Sequence, residues 1–163
     1  AFASIDYPEI AVIRAGQLHY YFDEPHSGAP VFYDALDERV CLIKLIPGMT
    51  ADVLLRCAEG CRAVIIETYG AGNAPSKEWF LSLINKASGM DKILLNVTQC
   101  LAGSVNMDIY ATGKCLKNAG VCNGYDCTTE GALAKLYYLM GWSENNSLVK
   151  EMLERDLRGE ISK

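Results

Sequence analysis

One stretch limits the fold more than any other, Arg62 to Pro75, which reads RAVIIETYGAGNAP. Ala63 to Ile66 are apolar and partly β-branched, as in a strand buried on both faces of a parallel sheet. The run stops at Gly70-Ala71-Gly72-Asn73-Ala74-Pro75. Glycines there let the backbone turn sharply and sit close to a ligand or to another backbone. Ser76 then stands as a helix cap with Glu78 in the first turn, and Trp79, Phe80, Leu83 and Ile84 carry the apolar spacing of a helix to Ser88. Strand, glycine turn and helix form the unit at whose strand ends open α/β sheets place ligands. The same unit also serves as a plain connection, so spacing alone leaves both readings open.

The rest of the chain sets bounds on that unit. At 163 residues it is long enough for one domain with a full core. Half the residues are hydrophobic and 21% are charged, the balance of a globular protein. The net charge is −5 and no lysine or arginine cluster stands out, which argues against a nucleic-acid surface. No apolar run approaches the roughly 20 residues of a spanning helix, and no signal-peptide pattern is read, so neither a membrane span nor secretion is expected. The chain opens on Ala1, with AFASIDYP and no methionine, and the expectation is a piece of a longer protein or one that has lost a segment.

Seven cysteines, Cys41, Cys57, Cys61, Cys100, Cys115, Cys122 and Cys127, form an odd and scattered set. Cys41 lies in an apolar strand pattern and Cys57 on an amphipathic helix, where a thiol behaves as a small hydrophobe. They are read as reduced, which points to the cytoplasm. Cys57 and Cys61 are spaced like half a metal site, but no partner pair at zinc spacing follows, so neither a metal nor a cofactor is expected. His19 on a strand and His26 in a turn read as ordinary residues.

Gln17 to Phe22 reads as a strand, and residues 23–30, with two prolines and a glycine, as a linker. Val40 to Ile46 is the next strand, followed by a helix from Ala51 to Glu59 capped by Thr50. The strand Ala63–Thr68 and the helix Ser76–Ser88 follow, then a strand over 92–97. A helix is expected from Tyr110 to Asn118, stopped by Gly120. Thr128 or Thr129 caps a helix through Leu133, Leu136, Tyr137 and Met140, and Ser143 caps a last one, Leu148 to Leu157. Strands alternating with helices imply right-handed crossovers and a parallel sheet. The expected fold is therefore a three-layer α/β/α sandwich around a small, mostly parallel sheet, Rossmann- or flavodoxin-like.

Sequential strands are usually sheet neighbours, so the Tyr69–Asn73 and Thr98–Cys100 turns should open side by side. They bring together Asn73, Thr68, Thr98, Gln99 and Cys100, a set suited to a small polar ligand such as an amino acid. Alternatively, these side chains simply tie the loops to one another.

Several motifs in order carry a resemblance: PGMTAD (47–52), YGAGNAP (69–75), NVTQC (96–100), YATG (110–113), TEGALAKLYYL (129–139) and LRGE (157–160). Together they resemble the C-terminal half of cytoplasmic, type I bacterial L-asparaginases across essentially the whole chain. The resemblance implies that residues 1–30 are the exit of an N-terminal domain with the interdomain linker, and that residues 31–163 are the C-terminal α/β domain. The family's whole enzymes hydrolyse L-asparagine to L-aspartate and ammonia. They use a threonine nucleophile in a Thr-Gly-Gly-Thr turn, with a second threonine in a Gly-Thr-Asp-Thr segment that works with an aspartate and a lysine. Neither segment occurs in this chain. Thr112, Thr128 and Thr129 lack the spacing and any nearby base, so no catalytic residue is expected in this half, and asparagine and glutamine are not distinguished by it.

The resemblance further implies a homodimer or tetramer, with the Gly-x-Gly-Asn loop and its Asn73 near a partner's active site. It also implies an allosteric asparagine site at Glu67, Thr98, Gln99 and Cys100. A type I member holds arginine at the position of Glu67, a donor able to clamp the effector's carboxylate, and glutamate would repel that group. Glu67 is expected near Thr98 and Cys100. The contrasting reading is a self-standing amino-acid-binding or protein-interaction module without catalysis.

Overall fold

A strand that is apolar at every position needs cover on both faces, and the segment around Ile65 receives it. The computed structural model describes residues 8–22 and 28–162. The exit segment expected at 2–7, the linker residues 23–27 and His26 lie outside the described residues. In chain order the elements are β1 (Ala11–Arg14), β2 (Gln17–Tyr20), β3 (Val40–Lys44), α1 (Ala51–Ala58), β4 (Ala63–Thr68), α2 (Glu78–Gly89), β5 (Ile93–Thr98), α3 (Ala111–Asn118), β6 (Cys122–Asn123), α4 (Thr129–Trp142) and α5 (Asn146–Leu153). Strands β3 to β6 form one sheet in that order, every pair parallel.

Strand order explains where the helices lie. Crossovers of one hand between successive neighbours put their helices on one face. Val64, Ile66 and Leu94 meet Leu54 of α1, Phe80 and Ile84 of α2 and Leu116 of α3 there. Alternation sends Ala63, Ile65, Ile93, Leu95 and Val97 the other way, onto Ala132, Leu136, Leu139 and Met140 of α4 and Val149 and Leu153 of α5. Three layers result, as expected. Each buried leucine or isoleucine contributes about 1.5–3 kcal/mol through area removed from water. Because the strand order never reverses, no crevice arises from topology, and any site at the strand ends is built by loops.

The two-stranded piece is separate. β1 and β2 pair antiparallel around Ala15 and Gly16, both at positive φ, the turn that matches strand twist. The strand expected over Gln17 to Phe22 is present but ends at Tyr20, and its partner β1 was not foreseen. None of the described residues 8–22 is buried, His19 included.

Helix starts depart from expectation in three places. Thr50 occupies the cap position of α1 but makes no side-chain cap bond. Helix α2 begins after Lys77, not at Ser76. Asn145, not Ser143, caps α5, accepting from the Ser147 and Leu148 N–H groups, and α5 starts earlier and ends at Leu153. Of the two expected candidates for the α4 cap it is Thr128 that serves, accepting from Gly131 N–H at 3.1 Å.

Two buried cations fasten the fold. Arg62, at the amino end of β4, is 8% exposed. It donates to Asn146 Oδ1 at 2.8 Å, the Met140 carbonyl at 2.9 Å and the Ser143 carbonyl at 2.7 Å, and pairs with Asp37 at 3.3 Å. Arg39 hydrogen bonds hold the Asp37 carboxyl below the usual carboxylate range against the effect of its burial. Lys135, inside α4, donates to the Leu153 carbonyl at 2.9 Å and pairs with Glu160 at 2.7 Å, closing the C-terminal segment over the helices. All seven cysteines are free. Cys57 is exposed and not packed as a small hydrophobe. Among the described residues no helix is long and apolar enough to cross a membrane.

Candidate functional site

Pairing between β4 and β5 runs from Ala63 opposite Ile93 to Thr68 opposite Thr98, so the turns that leave them open side by side. The first turn closes on itself. Tyr69 N–H donates to the Asn73 carbonyl and Asn73 N–H to the Tyr69 carbonyl, both at 2.8 Å. Gly70 and Gly72 take φ of +50° and +98°, in the left-handed region. A Cβ on Gly72 would lie 2.8 Å from Val105 Cγ1, so space as well as conformation requires glycine there.

Thr98 joins the two turns. Its hydroxyl donates to the Gly70 carbonyl at 2.6 Å and accepts from Cys100 N–H at 3.0 Å. Gln99 binds two carbonyls with one amide nitrogen: Leu45 just past β3 at 2.7 Å and Glu67 at 2.9 Å. Asn73 Oδ1 accepts from Thr112 Oγ1 at 2.5 Å and from Ala74 N–H at 3.0 Å, tying the glycine turn to the start of α3. The Cys100 side chain is exposed beside them. Underneath, Thr68 and Asn96 are fully buried, Thr68 Oγ1 donating to Asn96 Oδ1 at 2.6 Å. Asn96 Nδ2 finds no partner among the described residues.

Glu67 goes elsewhere. It pairs with Val97, one residue out of step with Thr98, so alternation sends the Glu67 and Thr98 side chains to opposite faces. Glu67 accepts from Thr129 Oγ1 at 2.7 Å, at the first residue of α4, and lies 3.6 Å from Lys44 Nζ. The expected approach of its side chain to Thr98 and Cys100 is therefore not what the register produces. Gln99 reaches Glu67 only through its backbone carbonyl. Thr129 has a carboxylate beside it, a neighbour that the sequence did not reveal. Thr112 and Lys44 likewise enter the loop cluster through partners distant in sequence.

The geometry gathers Asn73, Thr98, Gln99 and Cys100 at one edge and sets Glu67 on the α4 side of the same edge. Their hydroxyl and amide groups tie the loops to one another. Each tie is a neutral hydrogen bond with a net worth of about 0.5–1.5 kcal/mol, small enough for a ligand's own donors and acceptors to replace. Among the described residues no group of three or more histidine, cysteine or acidic side chains is placed to hold a metal ion.

Comparison with known proteins follows the same outline. The family model of the glutaminase/asparaginase C-terminal domain matches residues 39–153. The chain is 35% identical to L-asparaginase 1 of Escherichia coli K12 over 140 residues, 85% of this chain and 41% of that one. It is 37% identical to the human 60 kDa lysophospholipase over 134 residues, 81% of this chain and 23% of that one. The solved L-asparaginase from Thermococcus kodakarensis superposes with a TM-score of 0.92 at 31% identity, covering 100% of this chain and 50% of that one. The chain spans at most half the length of these relatives.

Proposed function

We propose that this chain, which belongs to the glutaminase/asparaginase family and constitutes its C-terminal domain, is the regulatory and subunit-interface half of a cytoplasmic enzyme that hydrolyses L-asparagine to L-aspartate and ammonia. The chemistry belongs to an N-terminal half. Residues 1–30 lead out of that half and 31–163 form this one. Two or four copies assemble, and Asn73 on its glycine turn faces a partner's active site.

One observation carries the reading: the Thr98 hydroxyl bonded to the Gly70 carbonyl. It draws the two turns at the carboxyl edge into one surface, with Asn73, Gln99 and Cys100 around it. An amino acid offers that surface a carboxylate for donors and an ammonium for acceptors. Glu67, paired with Lys44 and Thr129, borders the surface and opposes a free carboxylate. A similar domain occurs within a relative named as a lysophospholipase. Choice of substrate therefore rests with the other half.

Ammonia release tests the division of labour. The full-length protein is expected to release ammonia from asparagine, and this 163-residue chain alone to release none above background, since neither the Thr-Gly-Gly-Thr turn nor the Gly-Thr-Asp-Thr segment that the resemblance makes catalytic occurs in its sequence. Release by the chain alone, abolished by a substitution within it, would overturn the reading. Intact mass of the native gene product separates the self-standing module: about this mass supports the module, about twice this mass the enzyme.

A further inference from the structure

Val105 to Met107 is pressed between the glycine turn and α3, and a glycine stands on each side where the backbones meet. A Cβ on Gly72 would lie 2.8 Å from Val105 Cγ1, and one on Gly113 would lie 2.7 Å from the Met107 carbonyl oxygen. Asn106 N–H donates to the Ala71 carbonyl at 3.0 Å and Val105 N–H to the Tyr125 carbonyl at 2.8 Å, so the segment is held from both sides. A side chain at Gly113 would push α3 outward. With glycine there, Thr112, the second residue of α3, comes within reach of Asn73. The YATG motif (110–113) thus supplies a close approach and a hydroxyl to use it.

That contact decides which way the Asn73 amide faces. The Ala74 N–H can only donate, so the atom 3.0 Å from it is the amide oxygen. The Thr112 hydroxyl lies on the same oxygen at 2.5 Å and is therefore the donor. Both bonds hold Oδ1 inward. Asn73 Nδ2 makes no hydrogen bond among the described residues and is open to solvent at a half-buried residue. The turn thus presents an oriented pair of N–H donors with nothing on them.

We propose that Thr112 is a positioning residue for the hydrolysis: its hydroxyl locks the Asn73 amide oxygen inward, so that the Nδ2 group is presented as a donor to the α-carboxylate of the amino-acid substrate. The proposal rests on the reading that Asn73 faces a partner's active site. A charged oxygen is the acceptor that gains most from such a donor. Without the hydroxyl only the Ala74 N–H holds the amide, and the fraction of molecules with Nδ2 outward falls. Apparent affinity falls by that fraction. The carboxylate is not changed by the reaction, so the loss falls on KM and not on kcat.

Steady-state kinetics of the full-length enzyme on L-asparagine test it, with Tm measured for each variant. Thr112→Val keeps the shape and removes the donor. It should raise KM about three- to tenfold, the bias that one neutral hydrogen bond supplies, and leave kcat within about twofold. Thr112→Ser keeps the donor and should restore the parent KM. Asn73→Ala should raise KM at least as much as Thr112→Val. Adding Thr112→Val to it should change KM no further, because the hydroxyl then has nothing to orient. An unchanged KM in Asn73→Ala would remove Asn73 from the substrate, and the proposal would fall with that reading. A raised KM in Asn73→Ala but not in Thr112→Val would overturn the proposal alone. So would effects that multiply in the double variant, a Thr112→Ser as impaired as Thr112→Val, or a loss confined to kcat. If Thr112→Val does not fold, Thr112→Ala removes the same donor and decides the same comparison.

Discussion

At the amino end of β4 a buried guanidinium holds four groups from three parts of the chain, whereas at the carboxyl end hydroxyls and amides hold the loops one bond at a time. Arg62 binds Asp37 ahead of β3, the Met140 and Ser143 carbonyls at the end of α4, and Asn146 at the start of α5. A guanidinium has five fixed donors, and its burial is tolerable only with such a complete set of partners. Thr98, Gln99 and Thr112 at the other end each make one or two bonds, and all three remain partly or largely accessible. The first arrangement cannot exchange partners without exposing buried polar groups. The second can, and that property suits an edge that meets ligands.

The contrast is most easily broken at Arg62. Arg62→Met should cost about 3–5 kcal/mol, since it strands buried acceptors and removes one of the two counter-charges of Asp37. Urea unfolding measures it, and a loss under about 1 kcal/mol would show the amino edge to be no better fixed than the carboxyl edge.

Lys135 and Glu160 extend the charged side of the comparison to pH. Burial alone would raise the Glu160 carboxyl, but hydrogen bonds from Lys135 and from the Leu157 and Arg158 N–H groups outweigh it and hold the group at about 2 instead of 4.5. A depressed acid gives stability that is complete above its unfolded value and is lost as pH falls through its folded value. Stability should therefore fall between about pH 4.5 and pH 2, by on the order of 3 kcal/mol. Glu160→Gln should flatten that limb in acid unfolding followed by circular dichroism. An unchanged limb would remove Glu160 from the account.

Gln99→Ala should cost less, about 1–2 kcal/mol, by freeing the Leu45 carbonyl and removing one of the two donors to the Glu67 carbonyl at a half-buried position. Amide exchange should rise in residues 45–49 and 98–100 and stay unchanged around Arg62. Exchange rising equally at both ends would mean that the two edges are one cooperative unit.

Much of this layout was legible in the sequence because it rests on periodicity. The apolar run at Ala63–Ile66, the matching run at Ile93–Leu95 and the Thr128 cap need only local information. Pairing of neighbouring strands follows from connection rules, which is why the two turns were expected side by side. The direction of the Glu67 side chain was not legible. It depends on a one-residue parity in the β4–β5 register, and parity is fixed by packing across the whole sheet. Strand β1 was missed because its four residues, AVIR, none of them buried, carry no alternation that points to a core. The cap of α5 was misplaced because Ser143 and Asn145 are both competent, and the Arg62 contacts to the Ser143 carbonyl and Asn146 fix the path between them. Long-range partners such as Thr129 for Glu67 and Thr112 for Asn73 have no local signal at all.

Calorimetric titration of asparagine into this chain, unaltered and as Glu67→Arg, tests the proposed role of the carboxyl edge most directly. Two like unit charges cost about 4 kcal/mol at 4 Å and an effective dielectric near 20, roughly a thousandfold in affinity. Glu67, turned to the α4 side of the edge, acts on a carboxylate held at Thr98 and Gln99 from farther away and costs less than that. Lys44, 3.6 Å from the Glu67 carboxylate but itself largely exposed, screens only part of that. The predicted result is weak or absent binding by the unaltered chain and a clear gain in Glu67→Arg. Tight binding by the unaltered chain, with no gain from arginine, would contradict the placement of the site.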